Sequence, residues 1–181
     1  MDRLCLARVP TVSFVVAILR ATACQPAGTA ASGATGSVAA PDPKNASYAI
    51  EKLTVTLASG RAEREAAPGS AAKVITTLGD QRATGDVDGD GRPDTAVILV
   101  QQPGGSGTFY YVAALLNAPG GIVATPAVLL GDRITVSGLR IDGRTTLIDR
   151  LDRAAGQPLT ASPSVAGTKR FAVDRRALLP Q

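Results

Sequence analysis

Histidine and tryptophan do not occur in the 181 residues, and only two cysteines are present, Cys5 and Cys24. Without imidazole there is no Ser–His–Asp triad, no Cys–His dyad, no His/Cys zinc site and no His-ligated haem. Aromatic residues make up 3% of the chain, so exposed stacking platforms for bases or sugars are scarce. Basic residues are scattered, and no basic run exceeds the pairs Lys169-Arg170 and Arg175-Arg176. A sequence pI near 9.4 therefore does not imply a nucleic-acid partner, and none is expected. What remains is carboxylate, hydroxyl, lysine and arginine chemistry.

The first 23 residues read as a targeting segment. Arg3 and Arg8 give a basic start, and Val9 to Leu19 is a mostly apolar run of 11 residues. That is too short for a bilayer, which takes about 20 residues. Ala21-Thr22-Ala23-Cys24 then resembles the lipobox of bacterial lipoproteins, in which the cysteine is lipidated and becomes the first residue of the mature chain. The same three small residues also fit a plain A-x-A secretory cleavage site. Lipidation at Cys24 is the favoured expectation, with a membrane partner through that anchor. Gln25 in place of Asp resembles lipoproteins released to the outer membrane, in a host that has one. Residues 24–46, rich in Ala, Gly, Ser, Thr and Pro, are expected to form a flexible tether. Removing residues 1–23 takes away three arginines and one aspartate and lowers the formal charge from +4 to +2.

From residue 47 to 181 short apolar runs rich in Val, Ile, Leu, Thr and Tyr alternate with Gly, Pro, Asp and Asn. About eight such runs predict a mainly β fold, a single antiparallel barrel or sandwich. They begin with one strand over Ile50 to Leu57 and end near Val173. The segment Gly60 to Ala72 has helix-friendly composition that Pro68-Gly69 would stop. Tyr110 and Tyr111 are adjacent and should face opposite sides of a strand, one in the core and one on the surface or in a groove.

The strongest chemical pattern is Asp86-Val87-Asp88-Gly89-Asp90-Gly91-Arg92-Pro93-Asp94. Carboxylates fall at loop positions 1, 3, 5 and 9, with glycine at 6. A chain wrapping a cation turns alternate side chains inward, so Asp86, Asp88 and Asp90 converge and Asp94 closes the shell. Arg92 offers its backbone carbonyl at position 7. Calcium is the expected ion, held structurally, because it accepts irregular oxygen geometry. Position 12 is Val97 instead of a bidentate glutamate, which points to a weak site. The plainer alternative is an acidic hairpin turn without an ion.

The segment from Gly85 to Ile98 resembles the calcium loops of FG-GAP propeller blades and of dockerins. A propeller repeats the motif once per blade and this chain carries it once, so the resemblance implies an ion site alone. The Gly-rich run Gln102 to Gly107 lacks the Gly-Lys-Ser/Thr of a P-loop and reads as a hairpin connection. The stretches GDVDGDGRPDTAVILVQQPGGSGTFYYVAALLN, AVLLGDR and GQPLTASPSVAGTKRF resemble a family of small exported bacterial proteins of unknown function. That resemblance runs from about Leu53 to Val173 and implies an exported single domain without a transferable activity.

Together these features predict an envelope-anchored lipoprotein with a calcium-stabilised β domain, non-catalytic, binding an unknown protein or small molecule. The alternative is an exported hydrolase using the metal or carboxylates, with Glu51, Asp132, Asp149 and Asp152 as candidates outside the loop.

Overall fold

The computed structural model describes residues 39–181. The targeting segment, Cys24 and the tether as far as residue 38 lie outside the described residues.

Turn residues cut the described part of the chain into twelve strands. They are β1 (Ser47–Ile50), β2 (Leu53–Thr56), β3 (Arg61–Glu65), β4 (Lys73–Gly85), β5 (Asp94–Gln102) and β6 (Phe109–Ala118). The remainder are β7 (Gly121–Ala124), β8 (Val128–Asp132), β9 (Thr135–Asp142), β10 (Thr145–Asp152), β11 (Val165–Asp174) and β12 (Ala177–Pro180). All strand pairs are antiparallel. They form a β1–β2 hairpin, a six-stranded sheet β3-β4-β5-β6-β7 with β8 beside β6, and a four-stranded sheet β12-β11-β10-β9. Among the described residues no sheet closes on itself, and the six- and four-stranded sheets pack face to face as a sandwich.

β5 and β6 occupy the middle of the stack. Their sequences, TAVILV and YYVAALL, are apolar without alternation, which is the pattern of strands covered on both faces. On one face Ile98, Val112, Ala114 and Leu116 pack with Ile134, Val136, Ile148, Phe171 and Leu178 of the four-stranded sheet and its approach. On the other, Val97, Leu99, Tyr111, Ala113 and Leu115 pack with Tyr48, Ile50, Val55 and Leu57 around the small hairpin. Tyr111 is buried in the second core and Tyr110 is half-buried against the first, so the two rings face opposite sides of β6, one fully covered and one partly open to solvent.

Twelve strands replace the eight expected, for local reasons. The run over Ile50 to Leu57 is broken at Glu51, whose φ of 53° makes a tight turn between β1 and β2. The helix-friendly charged segment holds β3, an exposed edge strand pairing only with β4. Ile122 to Leu130 divides into β7 and β8, which pair with opposite ends of β6.

Part of the segment assigned to the tether is packed. Pro41 and Pro43 are buried, and a single 3-10 turn over Pro43–Asn45 is capped by Asp42. The Tyr48 hydroxyl donates to the Pro43 carbonyl at 2.9 Å, and Thr95 Oγ1 donates to that of Pro41 at 3.2 Å. Residues 41–46 thus lie against β1 and β5, ahead of the boundary placed at residue 47.

Candidate metal centre

The acidic loop joins β4 to β5, and two buried residues fix it from below. Val87 is fully buried in the core shared with the four-stranded sheet. Asp94, the first residue of β5, is also fully buried. Its Oδ2 accepts from the Val87 amide at 2.9 Å, and its Oδ1 from the Asn117 amide of β6 at 2.8 Å. Burial pushes the Asp94 carboxyl above the usual range, the charges of Asp88 and Asp90 push the same way, and the two amide bonds oppose them.

Above this floor the loop's own amides turn onto its carboxylates. Asp86 accepts from the Gly89 amide at 2.6 Å and from the Gly91 amide at 2.9 Å. Asp88 accepts from the Asp90 amide at 3.1 Å. Gly89 and Gly91 have φ of 83° and 82°, which L side chains rarely adopt, and this lets the chain coil so tightly.

The result brings three of the four expected side chains together. One carboxylate oxygen from each of Asp86, Asp88 and Asp94 lies within 4.8 Å of the other two. Asp90 stays outside that group and is exposed, accepting from the Arg92 amide at 2.8 Å. Arg92, expected to contribute its carbonyl, is held through that same bond. Carboxylate oxygens carry more than one lone pair, so those bonded to amides keep capacity for a cation. Among the described residues none of the four aspartates has an ion-pair partner. Converging, uncompensated hard oxygens fit calcium better than they fit a soft metal.

Two residues of the site carry no sequence pattern. Asn117 supplies the second amide to Asp94 and donates its side-chain amide to the carbonyl of Ala39 at 3.0 Å. Arg144, in the β9–β10 turn, donates to the Asp88 carbonyl. Its guanidinium lies where a Cβ on Gly89 would stand, with Cζ 2.7 Å from that point. Only the fold brings Asn117 and Arg144 to the loop.

The carboxylates outside the loop are held separately. Asp132 accepts from the Thr108 amide at 2.9 Å, and Asp152 pairs with Arg150 at 2.7 Å. Glu51 accepts from the Tyr111 hydroxyl at 3.2 Å. Asp149 bonds Thr168 Oγ1 at 2.6 Å and pairs with Arg140; the Thr168 bond first, then the arginine, lowers its pKa. Each has a structural partner, and no two share one.

No protein family, curated protein or solved structure matches the chain.

Proposed function

We propose that the chain is an exported, envelope-anchored protein whose β domain is stapled by calcium at the β4–β5 loop and serves a non-catalytic binding or structural role. The observation that carries the ion reading is the convergence of Asp86, Asp88 and Asp94 within 4.8 Å, without an ion-pair partner for any of them among the described residues. A divalent ion there would offset the repulsion among four carboxylates and favour the ionised form of buried Asp94. It would also join the end of β4 to the start of β5. The proposed anchor at Cys24 rests on the lipobox resemblance.

Calorimetric titration with calcium, and melts with and without chelator, test the staple. Heat on titration and a higher Tm in calcium are expected. An unchanged Tm with no heat would remove the ion from the account. Incorporation of an alkyne fatty acid tests the anchor: a Cys24→Ser chain that is still labelled, or still partitions to membranes, would overturn it.

A further inference from the structure

The β11–β12 connection is a two-residue hairpin turn, Arg175-Arg176, between the paired residues Asp174 and Ala177. Both arginines have positive φ, 45° and 66°. That is the backbone of a type I′ turn, which strongly prefers Asn-Gly because side chains strain the left-handed region. The Ser59-Gly60 turn of the same domain, with φ of 52° and 83°, carries glycine at its second position. Two consecutive arginines resist the local preference, and strain of this kind tends to persist where the side chains have a task.

Their position suggests the task. An open cavity of about 330 Å³ is lined by Arg175, Arg176 and Arg144 together with Asp88 and Asp90 of the acidic loop and Asp174. Arg144 is committed to the Asp88 carbonyl. Arg175 and Arg176 are exposed and make no side-chain hydrogen bond or ion pair among the described residues. The formal charges decide when an anion is welcome. The cavity lining carries three aspartates, Asp88, Asp90 and Asp174, against three arginines, Arg144, Arg175 and Arg176, and is formally neutral. A divalent ion on the adjoining loop would offset Asp88 and Asp90 and leave the lining net positive.

We propose that this cavity binds a phosphate monoester, gripped by the guanidiniums of Arg175 and Arg176, and that it does so only when calcium occupies the adjoining loop. The inference rests on the calcium reading of that loop. Guanidinium forks match phosphate oxygens bidentately, and a tetrahedral dianion has enough free oxygens to be shared between two forks and a neighbouring hard cation. A carboxylate has only two. Because the two sites are coupled through charge, phosphate must strengthen calcium binding by the same factor by which calcium strengthens phosphate binding.

The test uses the full-length chain, titrated first with calcium alone and then with phenyl phosphate in calcium or in chelator. Phenyl phosphate should bind in calcium and weaken by about tenfold or more in chelator. Benzoate should bind at least tenfold more weakly than phenyl phosphate. The double variant Arg175→Asn/Arg176→Gly supplies the preferred turn and removes both forks. It should raise Tm by about 5 °C, keep calcium binding and lose phenyl phosphate binding. Vesicles with and without phosphatidic acid separate the sources: binding to the acidic vesicles as well as to phenyl phosphate assigns a lipid headgroup, and binding to phenyl phosphate alone assigns a soluble ester. Absence of calcium binding fails the loop reading and this inference together. Calcium binding without phosphate binding fails this inference alone, as do equal affinity in chelator, equal affinity for benzoate, or a double variant that still binds.

Discussion

Strand β5 has a loop at each end, and the two are fixed in opposite ways. The β4–β5 loop folds around its own carboxylates: Asp86, Asp88 and Asp90 accept the loop's amides, and Asp94 anchors it from beneath. The β5–β6 loop has no acidic residue of its own and is latched from outside. Arg133, in the turn after β8, donates from Nε to the Ser106 carbonyl at 2.8 Å and from Nη2 to Ser106 Oγ at 3.0 Å. Asp132 beside it takes the Thr108 amide. A loop that carries its own acceptors concentrates negative charge and presents it to a cation. A loop closed by a neighbour's guanidinium spends its carbonyl on the latch and has no anionic group to offer. Both runs are rich in glycine, yet only the first carries carboxylates.

The sharpest way to break this contrast is at its buried anchor. Asp94→Ala leaves the buried Val87 amide and the Asn117 amide without acceptors, and each such loss costs about 1–3 kcal/mol. We expect a loss of about 3 kcal/mol in urea denaturation without calcium. A loss below about 1 kcal/mol would mean that water replaces the carboxylate and that the loop is not held from beneath. Calcium comes next. With a dissociation constant of about 1 mM, typical of extracellular sites, 10 mM calcium should add about 1.4 kcal/mol to the unmodified chain. Asp88→Ala should remove that increment while changing stability little in chelator, because Asp88 Oδ1 takes only one exposed amide.

The outer latch should matter less. Arg133→Ala removes the bonds to Ser106 and the ion pair with Asp132 at a half-buried side chain, for an expected cost of about 1 kcal/mol. Amide exchange should quicken in the β5–β6 loop and remain unchanged in the β4–β5 loop. Faster exchange in both would show that β5 transmits the change, and the two ends would then not be independent.

How much of this was legible in the sequence follows the same contrast. The acidic loop could be read because its partners lie within nine residues, and convergence of Asp86, Asp88 and Asp94 follows from their spacing. The failure of Asp90 to join them was not legible, since the pattern does not say which carboxylate is turned onto the Arg92 amide. Arg133's latch and Arg144's contact span 27 and 56 residues, so no local pattern marks them. The β class was evident from apolar runs, but two hairpins were hidden because their turns, Glu51-Lys52 and Arg175-Arg176, lack glycine and proline. Edge strand β3 was hidden because most of its residues face water, so its composition imitates a surface helix.

The smallest effect separates backbone demand from mere flexibility in the two glycine-rich loops. Gly91 has φ of 82° with nothing within 4 Å of an added Cβ, so Gly91→Ala meets strain and no clash. The left-handed penalty, partly offset by the stiffer unfolded chain, gives an expected loss of about 0.7 kcal/mol. Gly105 in the other loop has equally open space and no positive φ, so Gly105→Ala should be neutral or stabilising by about 0.5 kcal/mol. The two substitutions are chemically identical, and paired urea titrations therefore isolate the conformation each loop requires. Equal effects would show that the coil around the carboxylates imposes no backbone constraint of its own. A loss confined to Gly91 would show that the loop is shaped before any ion arrives, and its size should not change in chelator.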